Sequence, residues 1–539
     1  MARKVEDIDL QDPNLGQQAI AVAEIDRTKR AVDPSGVIRS GRLKGLSMWA
    51  AIFVVSWPVL VESFLNAMVG MVDTALSAQI SESATSAIAI ASYFQWFIGL
   101  IAISLGVGAT AMVSRAMGRG REAVARATTG QCYLLSGILG SAAGAFIFIF
   151  APFIGRLTGL EPSGEAFGHA VSYLRYMAFG VPAVTLMFSA ISCCRGAGDS
   201  LRPMLIMLIV NIVNIVVSIF LAGVDFTRRT LLESGEYSVR VVFSNPSPFE
   251  LGVDGIALGT LAAWYVGAIG MTIVLVRGTH GLQLRSRWLR PHWHTIRRLI
   301  RVGFPNFLET AGMWFGNFLT VLMVGWMGNE LLHGAHIVAI RVEAFSFLPG
   351  FAMATAAATL AGQYLGARSP ALARLAVIRC ALIASCIMGL FGLAFVGAPR
   401  FVVSLFSSQA LHLQLTPHLM VLCGIVQIPF AIAIVTRGAL RGAGDTKMVM
   451  LLTWTSTWGI RLPLAWLFSG VEVPVHDVVA LFGVTPEWVY SLPNPAPLQE
   501  HFGIHPLVGL WMGLSMELAL RFLLFTARFV QGGWQRVKV

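Results

Sequence analysis

Long apolar runs separated by short polar breaks set the pattern of this chain from about residue 47 onward. Twelve such runs can be drawn, at 47–75, 84–114, 126–154, 169–194, 203–223, 252–276, 301–327, 334–364, 371–397, 414–439, 447–470 and 506–527. Each is near or above the ~20 residues that a helix needs to cross a hydrocarbon core. Lipid cannot satisfy open backbone groups, so continuous apolar runs of this length must be helical there. The pattern therefore predicts an all-α polytopic membrane protein with 12 transmembrane helices.

The breaks reveal a duplication. Arg195-Gly196-Ala197-Gly198-Asp199 recurs as Arg441-Gly442-Ala443-Gly444-Asp445, and Pro58 and Glu62 recur as Pro305 and Glu309. Gly118 matches Gly366, and Pro182 matches Pro429, at nearly the same offset. Two long polar connections, 224–251 and 471–505, fall between the fifth and sixth runs of each half. The chain reads as two homologous six-helix lobes. Six is even, so both lobes enter from one side, with a binding site expected between them. The expected domains are a disordered cytoplasmic tail (1–46), an N-lobe (47–276), a basic cytoplasmic connector (277–300), a C-lobe (301–530) and a short cytoplasmic tail (531–539). Residues 1–46 contain no apolar run and no signal-peptide pattern.

Composition agrees with this class. Hydrophobic residues make up 56% of the 539 and charged residues 12%, against about 25% charged in soluble domains. Disordered, collagenous and disulfide-rich classes are excluded. Cys132, Cys193, Cys194, Cys380, Cys386 and Cys423 all lie in or beside apolar runs and form no Cys-x-x-Cys pair. They read as free thiols, with no disulfide and no metal site.

The net charge of +11 raises three readings: nucleic acid, anionic lipid or topology. Location separates them. Lys and Arg concentrate in the loops on the tail's side, where the acids are Glu122, Asp199 and Asp445. The opposite loops are acidic, with Arg156, Arg228, Arg229, Arg240 and Arg400 as their basic residues. The positive-inside rule then predicts cytoplasmic N- and C-termini, and the expected location is the cell's inner (plasma) membrane. The Arg-rich connector needs no nucleic acid; topology and surface lipid explain it.

Ionisable residues inside membrane runs are functional candidates by default. The ionisable residues read at membrane depth are Arg175, Arg341 and Arg461 with Glu62, Asp73, Glu309, Glu343 and Glu517. Asp73 reads either as a helix-end residue touching water or as a cavity carboxylate that takes a proton or Na⁺. Glu62 and Glu309 each follow a helix-breaking proline by four residues; they mark a central coupling site or satisfy carbonyls freed by the kink. Arg341 and Glu343 point to different faces, and Arg341 is expected to pair with a carboxylate elsewhere, such as Glu309. Glu517 and Arg521, four apart, read as a local pair. Asn211, Asn214 and Ser218 share one helix face, as interhelical bonds or as part of a cation site with Asp73. Phe64, Met68, Tyr93, Phe94 and Trp96 could line an aromatic cavity for organic cations, or simply face lipid or core. Arg195, Asp199, Arg441 and Asp445 read as inner-turn latches; no Lys-Ser/Thr follows, so the turns are not phosphate loops. His333 and His336 lack a third ligand, so no metal is expected there. No catalytic triad, HExxH or Walker motif is present, so the chain reads as a transporter rather than an enzyme.

These landmarks resemble the multidrug and toxic compound extrusion (MATE) transporters, over about residues 47–530. The resemblance rests on Pro58 with Val72-Asp73-Thr74, on both Arg-Gly-Ala-Gly-Asp turns, on Gly255 to Thr260, and on Arg461-Leu462-Pro463-Leu464. It implies two six-helix lobes in a V and export of cationic or amphipathic compounds in antiport with H⁺ or Na⁺, with no other cofactor. It also implies a small-molecule substrate, a lipid environment, and a monomer without nucleic acid. The family's first-helix Asp falls on Asp73, its fifth-helix pair on Asn214 and Ser218, and its sixth-helix Thr on Thr260. One branch has Asp where this chain has Ser218. Where other branches carry a seventh-helix Glu and a tenth-helix Asp, this chain has Met313 and, at about the tenth-helix position, Phe430. The sequence thus follows neither branch cleanly. The alternatives are a lipid-linked-precursor flippase of related fold, which needs a more basic cavity than three in-span arginines supply; a membrane enzyme; or a receptor or scaffold.

Overall fold

The computed structural model describes residues 43, 45–157, 163–231, 237–245, 247–329, 331–407, 409–475, 490–495 and 502–537. The N-lobe helices are α1 (Met48–Ile80), α2 (Glu82–Gly118), α3 (Glu122–Leu157), α4 (Glu165–Gly196), α5 (Leu201–Ala222) and α6 (Gly252–Arg277). The C-lobe has α7 (Trp293–Gly325), α8 (Leu331–Gly366), α9 (Pro370–Gly397), the short α10 (Pro399–Ser404), α11 (Ala410–Gly442), α12 (Thr446–Ser456), α13 (Leu462–Ser469) and α14 (Pro506–Gln531). Among the described residues, eleven helices are long and apolar enough to span a membrane. The remaining crossing is α12 and α13 joined by a π-helical turn, Thr457–Arg461. Pro463 follows that turn; its missing N–H and its ring disturb the ladder one turn back, where the extra residue of a π-turn can be absorbed.

The helices start and stop for local reasons. The Ser47 hydroxyl caps α1 by accepting from the Ala50 amide. Gly223 ends α5 in the left-handed region, with φ +66°. In the two repeated turns, Gly198 (φ +86°) and Gly444 (φ +83°) hold a conformation that penalises any side chain. Gly444→Ala should cost about 1 kcal/mol and lower the melting temperature in detergent by a few degrees. An unchanged melt would contradict this reading of the turn.

The packing crosses the sequence halves. Met48, Ala51, Ile52 and Val55 at the start of α1 share a core with Leu360, Tyr364, Ala439 and Phe525 of the C-lobe. Leu76, near the other end of α1, sits in the N-lobe core. α7 mirrors this: Leu299 packs with Leu105 and Ala109 of α2, and Met323 and Val324 pack in the C-lobe. Pro58 and Pro305 lie between the two halves of their helices. Each lobe's first helix is therefore an arm laid on the other lobe.

Three sequence expectations are refined here. Leu43, inside the segment assigned to the polar tail, is 1% exposed and packs in the C-lobe core; most of that tail lies outside the described residues. The long connections are not featureless. The first carries an antiparallel pair, β1 (Phe226–Leu231) with β2 (Tyr237–Phe243), and the second pairs β3 (Val473–Pro474) with β4 (Ser491–Leu492). Finally, the hydrogen bonds that tie lobe to lobe gather on the face carrying the two repeated turns, called here the turn face: Thr359 to the Arg195 carbonyl and Gln363 to the Gly196 carbonyl are examples.

Candidate functional site

Polar residues of the N-lobe converge where α1, α4, α5 and α6 meet. The Asn214 amide of α5 donates to the Thr260 hydroxyl of α6 at 3.0 Å, and that hydroxyl donates to the Ile256 carbonyl at 3.2 Å. Both Asn214 and Thr260 are buried. Tyr173 of α4 is buried near Thr260 and Asp73. Three oxygens, Asp73 Oδ1, Asn214 Oδ1 and Ser218 Oγ, are buried without a hydrogen-bond partner among the described residues.

Unpartnered buried oxygens are costly. A carboxylate with neutral carbonyl and hydroxyl oxygens suits a proton or a hard cation, because such a cation prefers oxygen donors. Tyr173 was not singled out by the sequence. Its only early signal was a polar tip within an apolar run.

The other candidates divide. Asn211, on the same α5 face, donates to the Met207 carbonyl of its own helix at 2.6 Å, so its amide is already used. Phe64 of α1 meets Phe345 of α8 at 6.4 Å between ring centroids, across the lobes. The side chains of Met68, Tyr93, Phe94 and Trp96 lie outside the described residues.

Glu62 and Glu309 do not serve their own proline kinks. Glu62, 3% exposed, accepts from Arg195 at 2.5 Å. Glu309, fully buried, accepts from Arg437 (2.7 Å), from Arg441 (2.8 and 3.1 Å) and from Thr453 (2.8 Å). Arg195 and Arg441 are the first residues of the repeated turns, so the duplicated glutamates clamp the duplicated arginines. The expected Arg341–Glu309 pair is absent for that reason, and Arg341 is exposed. Glu343 lies in the field of Arg461.

The Glu517–Arg521 pair forms, at 2.7 Å, and is larger than a local contact. Arg461, aimed by the π-turn, reaches Glu517 at 2.9 Å and Asn317 at 2.6 Å. Arg437 and Arg521, within the runs at 414–439 and 506–527, add to the three arginines read at membrane depth. Both lie inside helices, where Arg437 is tied to Glu309 and Arg521 is buried. The arginine content of the membrane region is therefore higher than the three read from the sequence.

The turn aspartates tie each turn to the end of its own lobe. Asp199 accepts from Thr279, just beyond α6, at 2.7 Å and from Arg202 of α5 at 3.4 Å. Asp445 accepts from Arg528 of α14 at 3.0 Å. His336 accepts from Trp511 at 3.1 Å, which gives that ring a packing role.

A family model described as MatE matches residues 58–220 and 305–467, one stretch in each half and together more than half of the chain. The chain belongs to the MATE family. It is 27% identical over 485 residues to the probable multidrug resistance protein NorM of Thermotoga maritima, covering 89% of this chain and 91% of that one. The uncharacterized transporter YisQ of Bacillus subtilis is 24% identical, covering 86% and 96%. Among solved structures, the Vibrio cholerae MATE transporter VcmN superposes with a TM-score of 0.74 at 17% identity, covering 90% and 98%. A MOP superfamily transporter from Pyrococcus furiosus gives 0.73 at 18%, covering 91% and 97%. The protein is thus a multi-pass membrane transporter and not an enzyme.

The two C-lobe positions noted in the sequence as departures are occupied by packed side chains in this MATE transporter. Met313 stands at one of the departures from the family pattern, and its sulfur lies 3.8 Å from Arg437. Phe430, at the other, packs its ring 6.0 Å from Phe347. Glu309, one turn before Met313, is held by two arginines and a threonine.

Proposed function

We propose that this transporter exports cationic or amphipathic small molecules in exchange for H⁺ or Na⁺, by alternating access, with its coupling site in the N-lobe. One observation carries the reading. Among the described residues, Asp73 Oδ1 and the Asn214 and Ser218 oxygens lack partners, whereas Glu309 and Glu517 of the C-lobe each hold two arginines. An acid clamped by two guanidinium groups gains little from a proton or a cation. An acid among unpartnered oxygens gains much.

In the mechanism, Asp73 binds the coupling ion when its pocket opens to one side and releases it on the other. Asn214 supplies a carbonyl oxygen, oriented by its amide bond to Thr260; Tyr173 and Ser218 complete the wall. Each ligand biases the two states only by its differential affinity for them. The multidrug names of the NorM relatives support the substrate class. The basic turn face is assigned to the cytoplasm, the protein to the plasma membrane, and the unit to a monomer surrounded by lipid.

The test is uptake of a fluorescent cation into inverted vesicles under separately imposed H⁺ and Na⁺ gradients. Uptake driven by one gradient is expected; none under either would overturn the reading. Thr260→Val should raise the half-saturating concentration of the coupling ion about tenfold, because the Asn214 amide loses its acceptor. An unchanged ion dependence would remove Thr260 from the site.

A second reading has one observation behind it. Arg437, Arg441, Arg461 and Arg521 outnumber the glutamates they hold, which suits a substrate bearing an anionic group, as in a lipid-linked precursor. The Pyrococcus relative is described as having a binding pocket of reversed polarity. Competition of fluorescent-cation uptake by a phosphorylated lipid would favour this reading.

A further inference from the structure

Arg115, near the turn-face end of α2, is 7% exposed, yet its guanidinium meets carbonyls rather than an acid: Nη1 donates to Val537 at 2.5 Å and Nη2 to Ala443 at 2.8 Å. The duplication explains the arrangement. Gly118 corresponds to Gly366, so Arg115 corresponds to Gln363 of α8. Gln363 is also buried, and its amide donates to Gly196 at 3.2 Å. Thr359, one turn earlier, donates to Arg195 at 3.0 Å. Each lobe's second helix therefore reaches into the Arg-Gly-Ala turn of the opposite lobe.

The acceptors share a property. Gly196 is the last residue of α4, Ala443 caps α11, and Val537 follows a 3₁₀ turn, Gly533–Arg536. Carbonyls at helix C-termini lack intrahelical donors and carry the negative end of the helix dipole. They attract a guanidinium or amide donor when the lobes close, and water replaces it when they part. The turns are also held rigidly, because Glu62 grips Arg195 and Glu309 grips Arg441. Finally, α2 and α8 cross with no room for a side chain: a Cβ on Gly118 would strike the Gln363 backbone, and one on Gly366 the Arg115 backbone.

We infer that the two Arg-Gly-Ala-Gly-Asp turns are the catches of a two-fold gate. Arg115 and Gln363 are positioning residues whose bonds to the opposite turn hold the turn face shut while the cleft opens to the far side. The inference rests on the alternating-access reading above.

The test measures the gate without requiring transport. Spin labels at Arg121→Cys and Ala371→Cys, both exposed and on opposite lobes, report the turn-face separation by double electron–electron resonance in lipid nanodiscs. Cys386, the exposed native cysteine, is replaced by serine. A dominant short distance is expected for the parent. Arg115→Ala should move the open-to-closed ratio about tenfold towards open, as loss of a charge-assisted bond implies, and Gln363→Ala about threefold. Arg115→Lys, which keeps a charged donor, should recover part of the closed population. Unchanged distances in a folded Arg115→Ala protein would overturn the gate. If that variant does not fold, Gln363→Ala decides by the same readout. Because no substrate or ion gradient enters the measurement, loss of the gate and loss of the transport reading are separate results.

Discussion

Vesicles carrying Asp73→Asn should lose ion-driven uptake of a fluorescent cation, by about 100-fold or to background, while the protein still folds. Asparagine has the shape of the carboxyl group and cannot ionise. Asp73 Oδ1 has no hydrogen-bond partner among the described residues, so the substitution breaks no described bond at that atom. The coupled cycle needs a group whose charge changes between the two openings, and a neutral amide supplies none. The measurement is initial uptake rate under the active gradient, normalised to folded protein. Retention of ion-coupled transport would sink the assignment of the coupling site.

The second large effect falls on stability. Glu309→Gln leaves Arg437 and Arg441 in the C-lobe with a neutral acceptor. Breaking one side of a buried ion pair costs about 3–5 kcal/mol, because the remaining charge is uncompensated. A fall in melting temperature of roughly 5 °C in detergent is expected for a chain of this size, together with lower folded yield. Transport by the surviving protein should stay ion-coupled. The double variant Glu309→Gln with Arg437→Gln should recover part of the stability, since it removes one stranded charge. If instead Glu309→Gln folds normally and loses its ion dependence, the C-lobe carries coupling and the clamp reading is wrong.

These two acids looked alike as sequence. Both sit in apolar runs, and Glu309 had the better pedigree, with a repeat partner and a proline four residues before it. What separates them is the side chains around them. Arg437 and Arg441 approach Glu309 from 128 and 132 residues away, and Thr453 from 144. No pattern along α7 announces them, and the expected partner Arg341 lay much nearer in the chain. At Asp73 the decisive fact is the reverse, a missing donor, which only neighbouring helices can reveal. Tyr173 escaped notice for the same reason.

By itself the sequence determined the crossings, the duplication and the side on which basic loops gather. Each follows from a condition met locally: a hydrocarbon layer demands about 20 apolar residues in a helix, repeats copy their glycines and prolines, and loop charge sets orientation. Tertiary structure alone decided that α1 and α7 lie on each other's lobes, that Glu62 and Glu309 clamp the turn arginines, and that Arg115 and Gln363 cap the opposite turns. Those are pairings between helices distant in the chain. Their energy comes from desolvated charge and helix-end carbonyls meeting in space, and nothing in local residue spacing encodes such a meeting.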